Sequence, residues 1–379
     1  MRRHSHICGA VVACALATPL AFAQEPPAPT ETATALRTRL EAAGATIRSI
    51  RITVDNVFDL NNPEENKRLY RWANNVHVPT RESVIEDILL FKAGDPFVAR
   101  VLDESARAIR ARGFIAEATV EPGTYDAATN SVDVEVRVRD SWSLQFDLKL
   151  NHTGGETEWG IGLSENNLFG TGKTLEIGHE SEIDRDQTTL GYGDGNVFGS
   201  RVRLHARVSH ASDGHLRELD VARPFFALAT RWSVGSALYD QERVDTMYDL
   251  GEEIDEFQHD LAGFELSGGW SYSPRERSAA RWLVGIAGED HAFRPTPEVP
   301  IPLLLPPDRK LVYPWLGWQR VEDDYREMSE LNDMGRTEDI SLGFNVFGNV
   351  GFAKESYGSD RDATLFRVAL EKGWEPGGP

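Results

Sequence analysis

The chain has 379 residues, of which 40% are hydrophobic, and a formal net charge of −20 at pH 7. This length allows two or three domains, and the acidic excess argues against nucleic acid as a partner, because phosphate binding needs positive faces. The mean hydropathy is −0.39, and no run of about 20 apolar residues follows the N-terminus, which argues against a helical membrane protein.

Residues 1–23 have the pattern of a signal peptide. Positive charge at Arg2 and Arg3 precedes an apolar run over residues 7–20 and an A-x-A cleavage site at residues 21–23. Both cysteines of the chain lie in this segment. The mature protein is therefore expected to contain no disulfide, cysteine nucleophile or cysteine-bound metal.

The next elements predict a small α+β domain over residues 46–141. Residues 24–45 are predicted to be a linker, because Gln24–Thr34 is rich in Pro, Ala and Thr, with a short helix expected from Thr34 to Ala43. A strand is expected over Ile47–Phe58 and a helix over Asn61–Val76. Thr80 is the expected N-cap of a further helix.

The segment Gly94-Asp95-Pro96-Phe97 is predicted to separate two helices. Gly94 suits a left-handed position after a helix, Asp95 can cap the next one, and Pro96 suits its first turn. That helix is expected to end at Gly113. Strands over Phe114–Val120 and Val132–Val138 complete a strand-helix-helix-strand-strand order.

From Trp142 to the C-terminus the sequence repeats about ten alternating apolar and polar residues and then a turn. Successive side chains of a strand face opposite sides, and ten residues is the length of a tilted strand that crosses a bilayer. The pattern predicts an all-β antiparallel transmembrane barrel over residues 142–379. Its roughly twelve strands are expected to begin near residues 142, 158, 173, 186, 201, 215, 229, 259, 278, 310, 339 and 362.

The same alternation predicts the loop lengths and the faces of the strands. Short turns are expected at residues 170–172 and 199–200, and a long acidic loop over Asp240–Gln258 at the opposite end. Residues 289–310 and 321–339 are both long and consecutive, so either a strand lies in 295–308 or a strand pair extends beyond the membrane. Lipid faces are expected at Val202, Leu204, Ala206 and Val208, and at Ile340, Leu342, Phe344 and Val346.

Five sequence stretches together resemble a known family. VPTRESVIEDILLFKAGDPF, LDESARAIRARGF and VDVEVRVRDSWSL are similar to a POTRA domain, and ENNLFGTGKTLEIG and LDVARPFFAL are similar to the first strands and turns of BamA/TamA-type outer-membrane assembly and transport proteins, the bacterial surface antigen superfamily. The resemblance covers about residues 46–350. It implies a Gram-negative outer-membrane barrel, a POTRA domain in the periplasm, and insertion or translocation of polypeptides without ATP.

The chain departs from the family pattern in three ways. Family barrels have sixteen strands, and the sequence shows about twelve; the last residues, 374–379, lack the usual closing strand with a terminal aromatic. The inward loop with an R-G-F motif is also missing, since Arg112-Gly113-Phe114 falls in the POTRA domain. Because unpaired strand edges in lipid are prohibitive, the barrel is expected to be an incomplete, C-terminally truncated product.

The predicted site is a strand edge and involves no catalytic side chain. An extended client peptide is expected to add to the POTRA sheet at Phe114, Ile115, Ala116, Glu117, Ala118, Thr119 and Val120, although Glu117 and Glu121 could instead guard that edge. A second candidate is a lateral gate at Trp142–His152. The structural POTRA motif is assigned to Gly94, Asp95, Pro96, Phe97, Gly113 and Phe114.

Enzymatic and cofactor chemistry is not supported by the sequence. Residues 168–174 resemble a phosphate loop, but Asn167 occupies a position that requires glycine. His205, His210 and His215 are spaced by five and cannot share one strand face, so no metal site is expected. The acidic runs 245–256 and 322–324 are read as solvated loops, with divalent-cation binding as the alternative.

Three functional classes remain open at this stage. The first is an insertion or secretion factor. Its expected partners are outer-membrane lipid and lipopolysaccharide, unfolded outer-membrane or secreted polypeptides, and a periplasmic partner protein. The second is a passive outer-membrane pore with an accessory domain. The third is a soluble secreted β-sandwich, which would need no detergent.

Overall fold

The computed structural model describes residues 31–153, 155–275, 277–329, 331 and 335–374, so the expected signal peptide lies outside the described residues. Across these ranges no helix is both long and apolar enough to cross a membrane. The N-terminal elements are α1 Glu31–Ala42, β1 Thr46–Asp55, α2 Arg68–Val76, α3 Glu82–Ile88, α4 Ala99–Arg110, β2 Ile115–Asp126 and β3 Ser131–Asp140.

These elements form the predicted α+β domain, but three helices lie between β1 and β2 where the predicted order has two, because Gly94-Asp95-Pro96 separates α3 from α4 and α2 forms a further short helix. Its sheet has the order β1-β3-β2, in which β1 is parallel and β2 antiparallel to the central strand β3. Alternate β-branched side chains of β3 point into the core and are fully buried, because helices cover that face. They are Val132, Val134, Val136 and Val138.

The short helix expected from Thr34 to Ala43 is present as α1, which begins at Glu31, and its Leu40 is fully buried in the core. Two other local predictions in this domain were wrong. Arg81, and not Thr80, is the N-cap of α3, because the Thr80 side chain is used in a tertiary contact. Asp95 and Pro96 do not start α4, which begins at Ala99 after the N-cap Val98.

The second unit is a single antiparallel sheet of twelve strands, as predicted. Within this sheet each strand pairs with the strand that follows it in the sheet's chain order, and the sheet is not closed, since its first and last strands lie at its two edges. The strands are β4 Leu144–Thr153, β5 Glu156–Glu165, β6 Lys173–Ser181, β7 Asp186–Asp194, β8 Arg203–Ala211, β9 Gly214–Arg223, β10 Trp232–Asp249, β11 Glu252–Arg275, β12 Ser278–Arg294, β13 Arg309–Glu322, β16 Asn345–Ala353 and β17 Ala363–Glu371.

A further hairpin, β14 Tyr325–Ser329 and β15 Thr337–Ser341, stands outside this sheet. The predicted lipid face over residues 340–346 was therefore wrong, because the chain turns between Ser341 and Asn345. Leu342 and Gly343 both donate their backbone N–H to the carbonyl of Asp324 in this turn, at 2.8 and 3.1 Å. Of the two long segments, residues 321–339 contain most of this hairpin, which lies beyond the main sheet. In the other, residues 295–308 form a loop at the opposite end of the sheet.

The predicted acidic loop Asp240–Gln258 was also wrong. Strands β10 and β11 stay paired as far as Asp249 and Glu252, so this segment is the tip of a long hairpin. In this segment both faces of the two strands carry mainly polar residues, so the sequence lacks the apolar/polar alternation that marks the other strands.

The outward face of the sheet has an apolar band and a row of tryptophans. Trp232, Trp270, Trp282 and Trp318 are cross-strand neighbours on four successive strands. The first three are about half exposed, at 45%, 55% and 46%. Exposed apolar residues such as Leu266 and Val284 follow on the same face. A row of aromatic residues beside an apolar band is typical of a β-sheet that crosses a membrane, with the aromatic residues at the membrane–water interface.

Candidate functional site

The POTRA domain contacts the turns at one end of the large sheet. The turn between β5 and β6 accepts a backbone hydrogen bond from Arg81 at the carbonyl of Gly170, at 3.0 Å. In the next turn, Arg201 donates to the carbonyls of Ile88 and Leu89 of the domain, at 3.0 and 2.6 Å. The domain is thereby held at this end of the sheet.

Gly170 is required where the two units meet. Its φ is +70°, and a Cβ atom there would lie 2.2 Å from the carbonyl oxygen of Pro79. Any other residue would be strained and would also push the domain away from the turn.

A buried carboxylate lies at the centre of this junction. Asp140 is fully buried and accepts hydrogen bonds from the backbone N–H and the hydroxyl of Thr80, at 2.8 and 2.7 Å. Its second partner is Nε2 of His77, at 2.8 Å. The Thr80 hydroxyl in turn accepts from Nδ2 of Asn167 in the turn between β5 and β6, at 2.8 Å. These bonds join the end of β3 to the sheet without a linker.

The predicted client-binding strand forms the outer edge of the POTRA sheet. Phe114 precedes β2, and Ile115–Val120 pair only with β3 on one side. Along this stretch Glu117 and Thr119 are exposed, whereas the other five side chains are buried, at 5% or less. Any recognition at this edge would therefore use the main chain.

Arginine side chains occupy carbonyl oxygens on this edge. Arg110 donates to Ala118 at 2.8 Å, Arg37 to Val120 at 3.1 Å, and Arg336 to Ile115 at 3.1 Å. Because the N–H and C=O of a strand residue point the same way, Ala118 and Val120 direct both groups outward. The edge is thus covered by guanidinium groups in this state.

Two arginines of α4, Arg110 and Arg107, connect this helix to the β14–β15 hairpin and the residue before it. Arg110 is 4% exposed and pairs with Asp339 at 2.7 Å and with Glu327 at 2.8 Å. Burial opposes its charge, but the bonds to Asp339 and Glu327 outweigh burial and raise the pKa of Arg110 above its ordinary value. Arg107 pairs with Asp323 just before β14, at 2.5 Å. The hairpin is therefore fastened to α4 beside the β2 edge.

The residues assigned to a structural POTRA motif hold β1 and the start of β2. Gly94 has a φ of +93°, and its N–H donates to the carbonyl of Ile47 at 2.8 Å. Asp95 accepts from Ile47 at 2.9 Å through its own carbonyl, and Phe97 is buried. Pro96 forms a bridge with Thr46 of β1. Gly113 and Phe114 lie between α4 and β2.

The predicted lateral gate falls on the edge strand β4. This strand pairs with β5 through Leu144–Thr153, and it is the first strand of the sheet. Its outward side chains are among the most exposed apolar groups of the sheet, at 69% for Phe146, 82% for Leu148 and 81% for Leu150. The gate residues are therefore placed where a further strand can pair.

The other motifs considered in the sequence make contacts typical of turns and of paired strands. Within the described ranges no group of three His, Cys, Asp or Glu side chains could hold a metal ion. Asn167, which breaks the phosphate-loop pattern, accepts the N–H of Gly172 at 2.8 Å within a tight turn. His210 and His215 are cross-strand neighbours, and Nε2 of His215 lies 2.9 Å from Asp240.

Sequence reasoning missed the most connected side chains at this end. Asp140 and Asn167 could have been suspected from polar residues directly after a strand. Arg110 and Arg336 gave no such signal, because Arg110 lies on a helix 229 residues before its partner Asp339.

Comparison with family models supports the POTRA assignment. A model named POTRA, described as "Surface antigen variable number repeat", matches residues 74–140. The predicted POTRA domain is thus confirmed. A comparison with curated proteins found no match.

Three solved structures are similar to the chain. BamA from Haemophilus ducreyi lacking POTRA domains 1–3 is 10% identical with a TM-score of 0.38, over 87% of this chain and 82% of that one. CdiB from Acinetobacter baumannii is 13% identical with a TM-score of 0.35, over 82% of this chain and 61% of that one. The NanC porin is 10% identical with a TM-score of 0.24, over 61% of this chain and all of that one. At these TM-scores the similarities carry no functional inference.

Proposed function

We propose that the protein is an outer-membrane factor that inserts or translocates polypeptides, with its POTRA domain in the periplasm. The observation that carries this proposal is the short connection between the POTRA sheet and the edge strand of the large sheet. β3, which pairs with the POTRA edge strand β2, ends at Asp140, and the sheet's edge strand β4 begins at Leu144. The edge strand β4 therefore follows the POTRA sheet after a short segment, so a polypeptide received at β2 would have a second strand edge nearby.

Main-chain pairing suits such a role. Strand addition takes affinity from backbone hydrogen bonds, so clients of different sequence can use the same edge. The carbonyls of Ala118 and Val120 supply two of the acceptors once Arg110 and Arg37 release them. Strand β4 then offers a second edge, next to the apolar outward face.

A proline substitution tests the first edge. The N–H of Ala118 points away from β3, so Ala118→Pro removes a donor for a client and leaves the β2–β3 hydrogen bonds in place. We expect cross-linking to an unfolded outer-membrane protein to fall at least several-fold, and client folding in liposomes to slow. Thr119→Ala, an exposed change on the same strand, is the matched control.

Unchanged cross-linking of the Ala118→Pro variant would rule out this edge. Circular dichroism of the variant should first establish that the domain is folded.

A passive pore is the second candidate. It is favoured by charged side chains on the inward face of the sheet, such as Arg207 and Glu176, which lie 3.2 Å apart. A pore would give steady conductance in planar bilayers and would leave the folding of other barrel proteins unchanged.

A further inference from the structure

Helix α2 is a short amphipathic helix with an exposed apolar face. Leu69, Trp72 and Val76 are 59%, 57% and 51% exposed, and their spacing of three and four residues places them on one side of the helix. Val78, just after the helix, is 49% exposed. A POTRA domain surrounded only by water would gain nothing from this face.

The same segment is basic in an acidic protein. Residues 67–81 contain four Lys or Arg residues and no Asp or Glu, whereas the whole chain carries −20. These basic residues are Lys67, Arg68, Arg71 and Arg81. A helix with Trp, Leu and Val on one side and Lys and Arg on the other is typical of a helix that lies in a membrane interface.

The position of α2 continues the apolar outward face of the sheet. The ring of Trp72 lies 6.5 Å from that of Trp142, which immediately precedes the edge strand β4 and its exposed Phe146 and Leu148. The following segment rests on the turn between β5 and β6, where Phe169 is 68% exposed. Apolar groups of the domain and of the sheet thus meet at one rim.

We propose that α2 docks on the periplasmic leaflet of the same membrane and binds anionic phospholipid. Leu69, Trp72 and Val76 enter the boundary between headgroups and acyl chains, and Lys67, Arg68 and Arg71 pair with phosphates, with their aliphatic stems lying along the apolar surface. This inference rests on the proposed function only in requiring that the sheet spans the membrane. The consequence is a second attachment that holds the POTRA domain against the bilayer.

Single-cysteine labelling of the mature full-length protein tests the contact, because both native cysteines lie at positions 8 and 14, within the expected signal peptide. An environment-sensitive fluorophore is placed at Leu69→Cys, and quenching by lipids that carry a shallow spin label is measured. The vesicles contain phosphatidylethanolamine with or without phosphatidylglycerol. Glu41→Cys, on the exposed side of α1, is the soluble control, and Leu148→Cys reports whether the sheet is inserted.

We expect strong quenching at positions 69 and 148 and none at 41. Replacing Lys67, Arg68 and Arg71 by Gln should lower quenching at 69 at least several-fold in phosphatidylglycerol vesicles, without changing it at 148.

The outcomes separate the two proposals. Quenching at 148 with none at 69 would overturn the docking of α2 and leave the membrane-spanning sheet intact. An absence of quenching at 148 would overturn the membrane-spanning sheet, and the docking with it. Protection of position 69 that depends on protein concentration rather than on lipid would identify a second copy of the chain as the occupant, and would also overturn the proposal.

Discussion

A single residue, Thr80, links the POTRA domain to the large sheet through its hydroxyl group. It donates to the buried carboxylate of Asp140 and accepts from Asn167, so it contacts both the POTRA domain and the turn between β5 and β6. A side chain that is only 3% exposed cannot replace these partners with water.

Thr80→Val should therefore destabilise the junction although it preserves the shape of the side chain. The change leaves an oxygen of Asp140 and the amide of Asn167 without this partner, which costs about 2–3 kcal/mol when a charged group is involved. We expect proteolysis at the junction in the detergent-solubilised protein to begin at lower urea concentration. Thr119→Val, an exposed change on a strand, should leave the digestion curve unaltered.

A pH effect is expected at Asp133 on β3. Its carboxylate accepts from Arg48 at 2.5 Å and from Ser49 at 2.6 Å, and these bonds, led by Arg48, lower its pKa from 3.8 to about 2. Because the folded pKa lies below the unfolded one, the stabilising contribution is complete above about pH 4 and is lost as the pH falls toward 2. Carboxyl-carbon NMR titration should place the Asp133 midpoint near the lower value.

The matching variant is Asp133→Asn, which should remove this part of the pH dependence of unfolding between pH 4 and 2. Glu135→Gln on the same strand should retain it. A titration midpoint for Asp133 near 4 would contradict the expected effect of Arg48.

At the scale of elements, the β14–β15 hairpin is joined to the POTRA edge through Arg110. It places Asp339 and Glu327 against Arg110, whose guanidinium also covers the carbonyl of Ala118. The hairpin and the proposed client edge therefore share one arginine, and we expect a client that pairs with Ala118 to compete for that carbonyl with Arg110.

A double-mutant cycle on Arg110 and Asp339 tests this fastening. Arg110→Ala leaves the largely buried Asp339 without its main partner and should cost about 3 kcal/mol of unfolding free energy. Asp339→Asn should cost less, and the coupling energy of the pair should be about 1–3 kcal/mol. The exposed pair Lys354–Asp362 at the opposite end should show a coupling of at most about 1 kcal/mol.

A coupling energy near zero for Arg110 and Asp339 would mean that the hairpin does not hold the domain in solution.

The elements also differ in how well the sequence predicted them. Strand starts such as those of β6, β7 and β12 were predicted at the observed residues, because alternation is a local signal. The N-cap at Thr80 and the helix start at Asp95 were wrong, because tertiary partners use those groups. A strand pair beyond the main sheet was one of the two alternatives that the sequence left open, but its attachment to Arg110 could not be predicted, because no local pattern encodes a contact 229 residues away.

At the scale of the whole molecule, the two faces of the large sheet differ in chemistry. The outward face carries the tryptophan row and the exposed apolar band, whereas the inward face carries charged residues such as Glu265. A soluble sandwich would bury the apolar face, yet Leu266 and Val284 are 51% and 55% exposed. An outward apolar face needs a lipid environment to be stable.

Adjacent substitutions on β11 test this orientation, since Glu265 and Leu266 point to opposite faces. Leu266→Arg places a charge four residues from Trp270, near the middle of the expected hydrocarbon layer, and should cost about 2–4 kcal/mol of folding free energy in vesicles. Glu265→Arg introduces the same side chain into the polar interior and should be tolerated within about 1 kcal/mol. Urea unfolding in vesicles measures both, and equal stability of the two variants would exclude a lipid-facing surface.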